Sequence, residues 1–138
     1  MAALLIPAPI RSAHNPRLKR VRRLHSRRGR RKEQAFVLEG ARAVGDALRE
    51  APGQVQELYL PEQQLDPELL ELAAAAGVPA FAVPAGVFAE LSQLEAPPSA
   101  LAVAAARYAE LDALLAGDDP TAPRGIVACL GVQDPGNL

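Results

Sequence analysis

Short apolar segments alternate with helical patterns between residues 35 and 106, and this alternation constrains the fold more than any other feature. Strands are predicted over residues 35–40, 55–60, 79–83 and 100–106, with helices over 41–50, 67–76 and 85–94 between them. Aromatic residues make up only 4% of the chain, so Ala, Val and Leu must build the core. We therefore expect a three-layer α/β/α domain, with a largely parallel sheet covered on both faces.

Basic residues are concentrated in the N-terminal third of the chain. Residues 1–42 carry a net charge of +10 (12 basic, two acidic), and residues 43–138 carry −11 (three basic, 14 acidic), which together give −1. No acidic residue lies between Arg11 and Lys32. A concentrated basic segment attracts a polyanion, because each Lys or Arg placed on a phosphate releases condensed counterions. The alternative, a merely solvated charged face, is disfavoured because such a run repels itself.

A single basic helix is predicted from Pro16 to about Gly29, with Asn15 as its N-cap. Its narrow apolar face recurs every three residues and consists of Leu18, Val21 and Leu24. Such a helix docks by one edge and offers its cations to solvent. The excess of Arg over Lys suits bidentate phosphate contacts. The candidate RNA-binding residues are Arg11, Asn15, Lys19, Arg23, Arg27, Arg28, Arg30, Arg31 and Arg42.

Several classes of site are excluded by the composition. The single Cys129, in an apolar run, excludes a disulfide framework and a multi-cysteine metal site. His14 and His25 have no ligand at a suitable spacing, so we read them as polar surface residues and expect no metal. No apolar run approaches the about 20 residues of a membrane span. A cytoplasmic protein is expected, with an Arg-rich organelle transit peptide over residues 1–32 as the alternative.

The composition of the C-terminal stretch, from residue 111 onward, suggests the beginning of a second domain. A short helix is predicted over 111–116, and the segment GDDPTAPRG that follows it has linker composition. Residues 126–132 predict a buried strand that no following helix can cover. We therefore expect the chain to stop just after the start of a second domain.

Three short motifs occur in order along the chain. Residues 10–19 read IRSAHNPRLK, and residues 132–138 read VQDPGNL. Between them, the pattern R-x5-F-x2-E-G-x-R is formed by Arg30, Phe36, Glu39, Gly40 and Arg42. In this order the motifs resemble the SpoU (TrmH) family of RNA 2'-O-ribose methyltransferases. The resemblance implies a substrate-binding domain with the fold of kink-turn-binding ribosomal proteins, followed by a trefoil-knot catalytic domain that binds S-adenosyl-L-methionine and dimerises.

The resemblance also implies roles for single residues. Asn137 matches the Asn of the first catalytic motif, whose Arg would lie beyond Leu138 together with the cofactor pocket; without the resemblance, Asn137 is a turn residue. Glu39 and Gly40 form a structural motif, in which Gly40 permits a tight turn and Glu39 either pairs with a nearby Arg or contacts RNA. Residues 97–100 read PPSA where the family often has Pro-Gln-Gly, which leaves any polar role of that loop in doubt.

The resemblance implies transfer of a methyl group to a ribose 2'-hydroxyl, in ribosomal RNA first and in tRNA second. It divides the chain into a basic helical segment (1–34), an RNA substrate-binding domain (35–119) and a linker with the first catalytic strand (120–138). The intact protein would be a homodimer, and the fragment alone would be inactive. A stand-alone, non-catalytic RNA-binding module of ribosomal-protein type is the alternative. A DNA-binding helix-turn-helix is less favoured, because a strand follows the basic helix.

Overall fold

The computed structural model describes residues 6–108 together with residues 110 and 112. Residues up to Arg107 form one compact unit. A single 3-10 turn, Pro52–Gln54, precedes the third strand. The remaining elements, in chain order, are β1 (Ala8–Pro9), α1 (Pro16–Leu24), α2 (Arg27–Glu33), β2 (Ala35–Glu39), α3 (Ala41–Glu50), β3 (Val55–Pro61), α4 (Pro67–Ala76), β4 (Ala80–Val83), α5 (Ala85–Ala89) and β5 (Leu101–Ala105).

The five strands form one mixed sheet in the order β1-β4-β3-β5-β2. Strands β1, β4 and β3 pair in parallel, whereas β5 is antiparallel to both of its neighbours, β3 and β2. The expectation of a largely parallel sheet is therefore wrong for two of the four strand pairs. The reason is the connection before β5. Helix α5 has only five residues, or about 8 Å at 1.5 Å per residue, too short to carry the chain back along the sheet.

The start of β5 shows how the chain enters the sheet. Leu101 pairs with Tyr59 near the end of β3 and with Glu39 at the end of β2. After β4 the chain thus stays at the carboxyl ends of the parallel strands and enters the sheet from there. The helix predicted over 85–94 ends at Ala89, and this shortening accompanies the antiparallel direction of β5.

Both faces of the sheet are covered, as predicted. Alternate residues of β3 point to opposite faces, so Tyr59 packs with the core under α1 and α5, whereas Leu58 and Leu60 pack under α3 and α4. The predicted apolar face of α1 is fully buried in the first core and consists of Leu18, Val21 and Leu24. The chain is thus an α/β unit with one core on each side of a five-stranded sheet.

The basic segment forms two helices, so the prediction of one helix ending at Gly29 is wrong. Helix α1 begins at the predicted N-cap, where Oδ1 of Asn15 accepts a hydrogen bond from the backbone N–H of Arg17 at 2.9 Å. It ends at Leu24, and Ser26 then caps α2 by accepting from the N–H of Gly29 at 3.0 Å. Gly29 lies inside α2, where a Cβ would sit 2.0 Å from the carbonyl oxygen of Arg23. The glycine is needed for this close approach of α2 to the end of α1.

The predicted helix over 111–116, the linker and the strand over 126–132 lie outside the described residues, as do Cys129 and Asn137. Within the described part of the chain, no helix has the length and apolar character needed to cross a membrane.

Candidate nucleic-acid interface

One face of α2 presents a cluster of cations to solvent. Five of its seven residues are basic. Four of them are exposed and line a shallow, open depression; we call them the α2 patch, and they are Arg27, Arg28, Arg31 and Lys32. At 3.6 residues per turn these four positions fall within an arc of about 140°. In the part of the chain that the structure describes, their side chains form no hydrogen bond or ion pair, so their charge is available to a ligand.

The opposite side of α2 is fixed to α1. Glu33 accepts hydrogen bonds from Nε of Arg20 and Nε of Arg23, each at 2.9 Å. Desolvation alone would raise the pKa of Glu33, but the hydrogen bonds and charges of Arg20 and Arg23 outweigh it and hold that pKa below its usual range. This double contact fixes the last turn of α2 against α1, and it pairs two cations of the basic run with an internal carboxylate.

A second acidic residue neutralises the inner side of α1. Glu57, in β3, is buried and accepts hydrogen bonds from Arg17, from Nη1 of Arg20 at 3.3 Å and from the hydroxyl of Tyr59 at 2.7 Å. The guanidinium carbon of Arg17 also lies 4.6 Å from the centre of the Phe81 ring, a cation–π contact. The cations of α1 that face the sheet therefore hold the helix in place.

These internal ion pairs were missed by the sequence reasoning. Glu57 lies 40 residues from Arg17 and 37 from Arg20, and Glu33 lies 13 residues from Arg20 and 10 from Arg23, so the acid-free run appeared uniformly free. One signal was present: Glu57 is a charged residue at an inward position of the apolar strand VQELYLP, and a buried carboxylate requires cationic partners.

Arg30, a predicted RNA contact, forms hydrogen bonds within the protein. Its Nη1 donates to the carbonyl oxygens of Leu24 at 3.2 Å and His25 at 2.7 Å. It thereby satisfies carbonyl groups that the end of α1 leaves unpaired. Similarly, Nη1 of Arg22 donates to the carbonyl oxygen of Ala13 at 2.7 Å.

The remaining predicted RNA-binding residues are dispersed. Arg11, Lys19 and Arg42 are exposed, and Arg23 is more than half exposed although its Nε holds Glu33. The structure therefore brings together only part of the predicted set, on α2. Asn15, as the N-cap of α1, has a structural contact of its own.

The Glu39–Gly40 motif lies where β2 ends and α3 begins, and both residues have roles in the fold. Gly40 adopts a φ of 102°, a conformation that L side chains rarely adopt, and begins α3. Glu39 accepts from the hydroxyl of Ser92 and from the N–H of Gln93 at 3.4 Å. Within the described residues, Glu39 forms no ion pair with an Arg, and its alternative role in RNA contact stays a prediction. The carboxylate points toward the loop after α5, and its Oε1 lies 4.0 Å from Nδ1 of His25.

The histidines differ from each other. His14 is exposed, as predicted, but the surface position predicted for His25 is wrong. Its side chain is largely buried, and Nε2 lies 2.6 Å from the carbonyl oxygen of Leu91. Within the described part of the chain, no group of three or more His, Cys, Asp or Glu side chains is placed to hold a metal ion.

Residues 15–102 match the family described as the MRM3-like substrate binding domain, which is 88 of the 138 residues. The chain belongs to this family. Its membership agrees with the resemblance to SpoU (TrmH) enzymes carried by the three sequence motifs, and that resemblance is confirmed. The matched segment contains α1, α2 and the α2 patch.

Relatives of this MRM3-like domain are RNA methyltransferases. The chain is 29% identical over 129 residues to the 23S rRNA (guanosine(2553)-2'-O)-methyltransferase RlmP of Bacillus subtilis, covering 94% of this chain and 46% of that protein. Its fold is similar to that of an RNA 2'-O ribose methyltransferase (31% identity, TM-score 0.61, 75% of this chain and 39% of that one). It is also similar to the SpoU methyltransferase AviRb of Streptomyces viridochromogenes with AdoMet (26% identity, TM-score 0.58, 73% and 39%). The MRM3-like chain thus spans less than half of each relative.

Proposed function

We propose that this chain is the RNA-binding part of an RNA 2'-O-ribose methyltransferase that acts on ribosomal RNA. The observation that carries the proposal is the α2 patch, four unneutralised cations within a domain of the substrate-binding family. Phosphate contacts supply most of the affinity of a nucleic-acid-binding surface, and they require cations free of internal partners. RlmP, named as acting on 23S rRNA, supports ribosomal RNA over tRNA, which remains the second candidate.

The finer parts of the proposal rest on the family resemblance. We propose the fold of kink-turn-binding ribosomal proteins for the substrate-binding domain, a domain boundary near residue 120 and a dimeric trefoil-knot catalytic domain. Asn137 is proposed as the first catalytic-motif residue. A cytoplasmic location is likewise a proposal, to be checked by cell fractionation.

S-Adenosyl-L-methionine is the proposed methyl donor, and AviRb binds it in its solved structure. The depression on α2 does not fit this group. Its sulfonium is a cation, whereas the depression on α2 is lined only by Arg27, Arg28, Arg31 and Lys32. The patch therefore suits the RNA and not the donor, and we assign no step of the methyl transfer to it.

The test is methyl transfer by the full-length protein to ribosomal RNA, measured with labelled S-adenosyl-L-methionine. The double variant R27A/R31A is expected to raise KM for RNA at least tenfold and to leave kcat within about twofold, because it weakens binding without touching the chemistry. Label in ribose 2'-O-methyl groups supports the proposal. RNA binding without any methyl incorporation by the full-length protein would instead favour the non-catalytic module.

A further inference from the structure

We propose that the α2 patch binds the phosphate backbone of double-helical RNA and does not read unpaired bases. This deepens the proposed function, since it assigns a class of RNA structure to the RNA-binding part, and it rests on that function only for the choice of RNA as ligand. Three features favour a duplex: the arrangement of charge on α2, the fixed position of that helix and the distribution of aromatic side chains.

The two sides of α2 are sharply divided. The four patch cations occupy one arc of the helix, whereas Gly29, Arg30 and Glu33 fall on the opposite arc and contact α1 or the carbonyl groups at its end. The exposed arc carries four positive charges and no acidic residue. It therefore presents charge of a single sign, which a row of phosphates matches and a surface of mixed charge does not.

The patch is held in one position before any ligand binds. Ser26 caps the start of α2, Glu33 fixes its last turn through two arginines, and Arg30 binds the carbonyl groups at the end of α1. Directly after α2, Gln34 turns the chain into β2 with a φ of 48°. A helix held in one position suits the regular backbone of a duplex, because little backbone conformational entropy is lost on binding.

Helix α2 contributes no aromatic side chain on which bases could stack. The chain has five aromatic residues, and Tyr59, Phe81 and Phe88 are buried while Phe36 is half-buried in β2. The exposed one, Tyr108, lies outside α2. Proteins that bind single-stranded RNA rely on stacking of bases, chiefly on aromatic side chains and also on Arg guanidinium planes, and each base stacked on an aromatic ring contributes substantially to the affinity. The α2 patch offers charge without such stacking.

The experiment compares an RNA hairpin with a fully paired stem and an unstructured RNA of equal length, each titrated with the 138-residue chain at several salt concentrations. Wild type is expected to bind the hairpin at least about tenfold more tightly, since a duplex carries the higher charge density. A scrambled stem sequence should leave Kd within about threefold. Each double variant, R27A/R31A and R28A/K32A, should make the log–log salt slope on the hairpin shallower by about 2.

The control is R49A/R107A, which removes the same net charge from two other exposed positions of the compact unit. Unlike the patch cations, Arg49 is already paired with Asp46 and Glu68. The salt slope of the control should stay within about 0.5 of the wild-type value. Equal slope changes in the control and the patch variants would overturn the inference, as would tighter binding of the unstructured RNA. The binding result and the methylation result can be told apart. If the full-length protein methylates RNA but the chain shows no preference for the hairpin, only the assignment to duplex RNA is overturned. If the hairpin preference is intact but no methylation occurs, only the proposed enzyme activity is overturned.

Discussion

The hydroxyl of Tyr59 lies 2.7 Å from Oε2 of Glu57, and both side chains are buried on one face of β3 beneath α1. Burial, reinforced by the hydrogen bond and the negative charge of Glu57, raises the pKa of Tyr59 far above its usual range. Arg17 and Arg20 reach the same carboxylate from α1. The attachment of the basic helix to the sheet therefore depends on one buried negative charge.

Replacing Glu57 with Gln is expected to lower the free energy of unfolding by about 1–3 kcal/mol. Gln keeps the shape but loses the charge that Arg17 and Arg20 contact, and both arginines are partly exposed, which limits the loss. Urea denaturation at neutral pH measures it. The control E62Q, at an exposed position, should change stability by less than about 0.5 kcal/mol. Equal effects of the two changes would contradict the role assigned to Glu57.

The stability of the fold is expected to decline above about pH 10 because of Tyr59. The unfolded chain releases its phenol proton near that pH, whereas the folded chain keeps it, so the unfolded state binds fewer protons and is favoured by up to about 1.4 kcal/mol per pH unit. In Y59F this part of the decline should vanish. The exposed Tyr108 provides the control variant Y108F, whose alkaline profile should follow wild type. Identical profiles for Y59F and wild type would refute the burial argument.

Glu33 is expected to contribute to stability only when it is charged. Its pKa is lowered in the fold, so its contribution is present above the unfolded value of about 4.3 and is lost as pH falls through the folded pKa. E33Q should therefore be about 1 kcal/mol less stable than wild type at pH 7, with the difference shrinking between about pH 5 and 3. E71Q, on the exposed side of α4, serves as the control. A difference that does not depend on pH would point to packing instead of charge.

Replacing Gly29 with Ala is expected to destabilise the fold by about 1–3 kcal/mol, because the new Cβ would meet the backbone of Arg23 and force α2 away from α1. Gly86 provides the matched change: it lies in α5 with open space around it, so G86A should be neutral or stabilising by up to about 1 kcal/mol. Thermal unfolding of both variants measures the contrast. Comparable stability of G29A and wild type would show that the close approach is not required.

The local signals in the sequence predicted much of the fold. Asn15 begins α1 as predicted, because capping depends on residues within one turn of each other. The same kind of local signal bounds α4, where Asp66 is the N-cap and Gly77 the C-cap. The division of the basic segment into two helices was not predicted. Glycine commonly ends helices, so Gly29 was interpreted as the end of a single helix. Its actual role depends on the backbone of Arg23, which the local pattern does not reveal.

Features that depend on distant residues were beyond local patterns. The reversed direction of β5 results from a short α5 and a long connection, whereas apolar periodicity is the same for a strand of either direction. The α2 patch was included in the predicted basic surface, but its separation from Arg17 and Arg20 required the positions of Glu33 and Glu57. Whether a cation is free is decided by which acids the fold brings to it.

Different helices cover the two faces of the sheet, and they give the domain an asymmetric charge distribution. On one side lie α1 and the α2 patch, whereas α3 and α4 on the other side expose four acidic residues, Asp46, Glu50, Glu68 and Glu71, and two basic ones, Arg42 and Arg49. A polyanion is therefore attracted more strongly to the basic side, over roughly a Debye length, about 8 Å at physiological salt. Encounters through that side are favoured, and we expect the proposed RNA ligand to meet the domain with the α2 patch foremost.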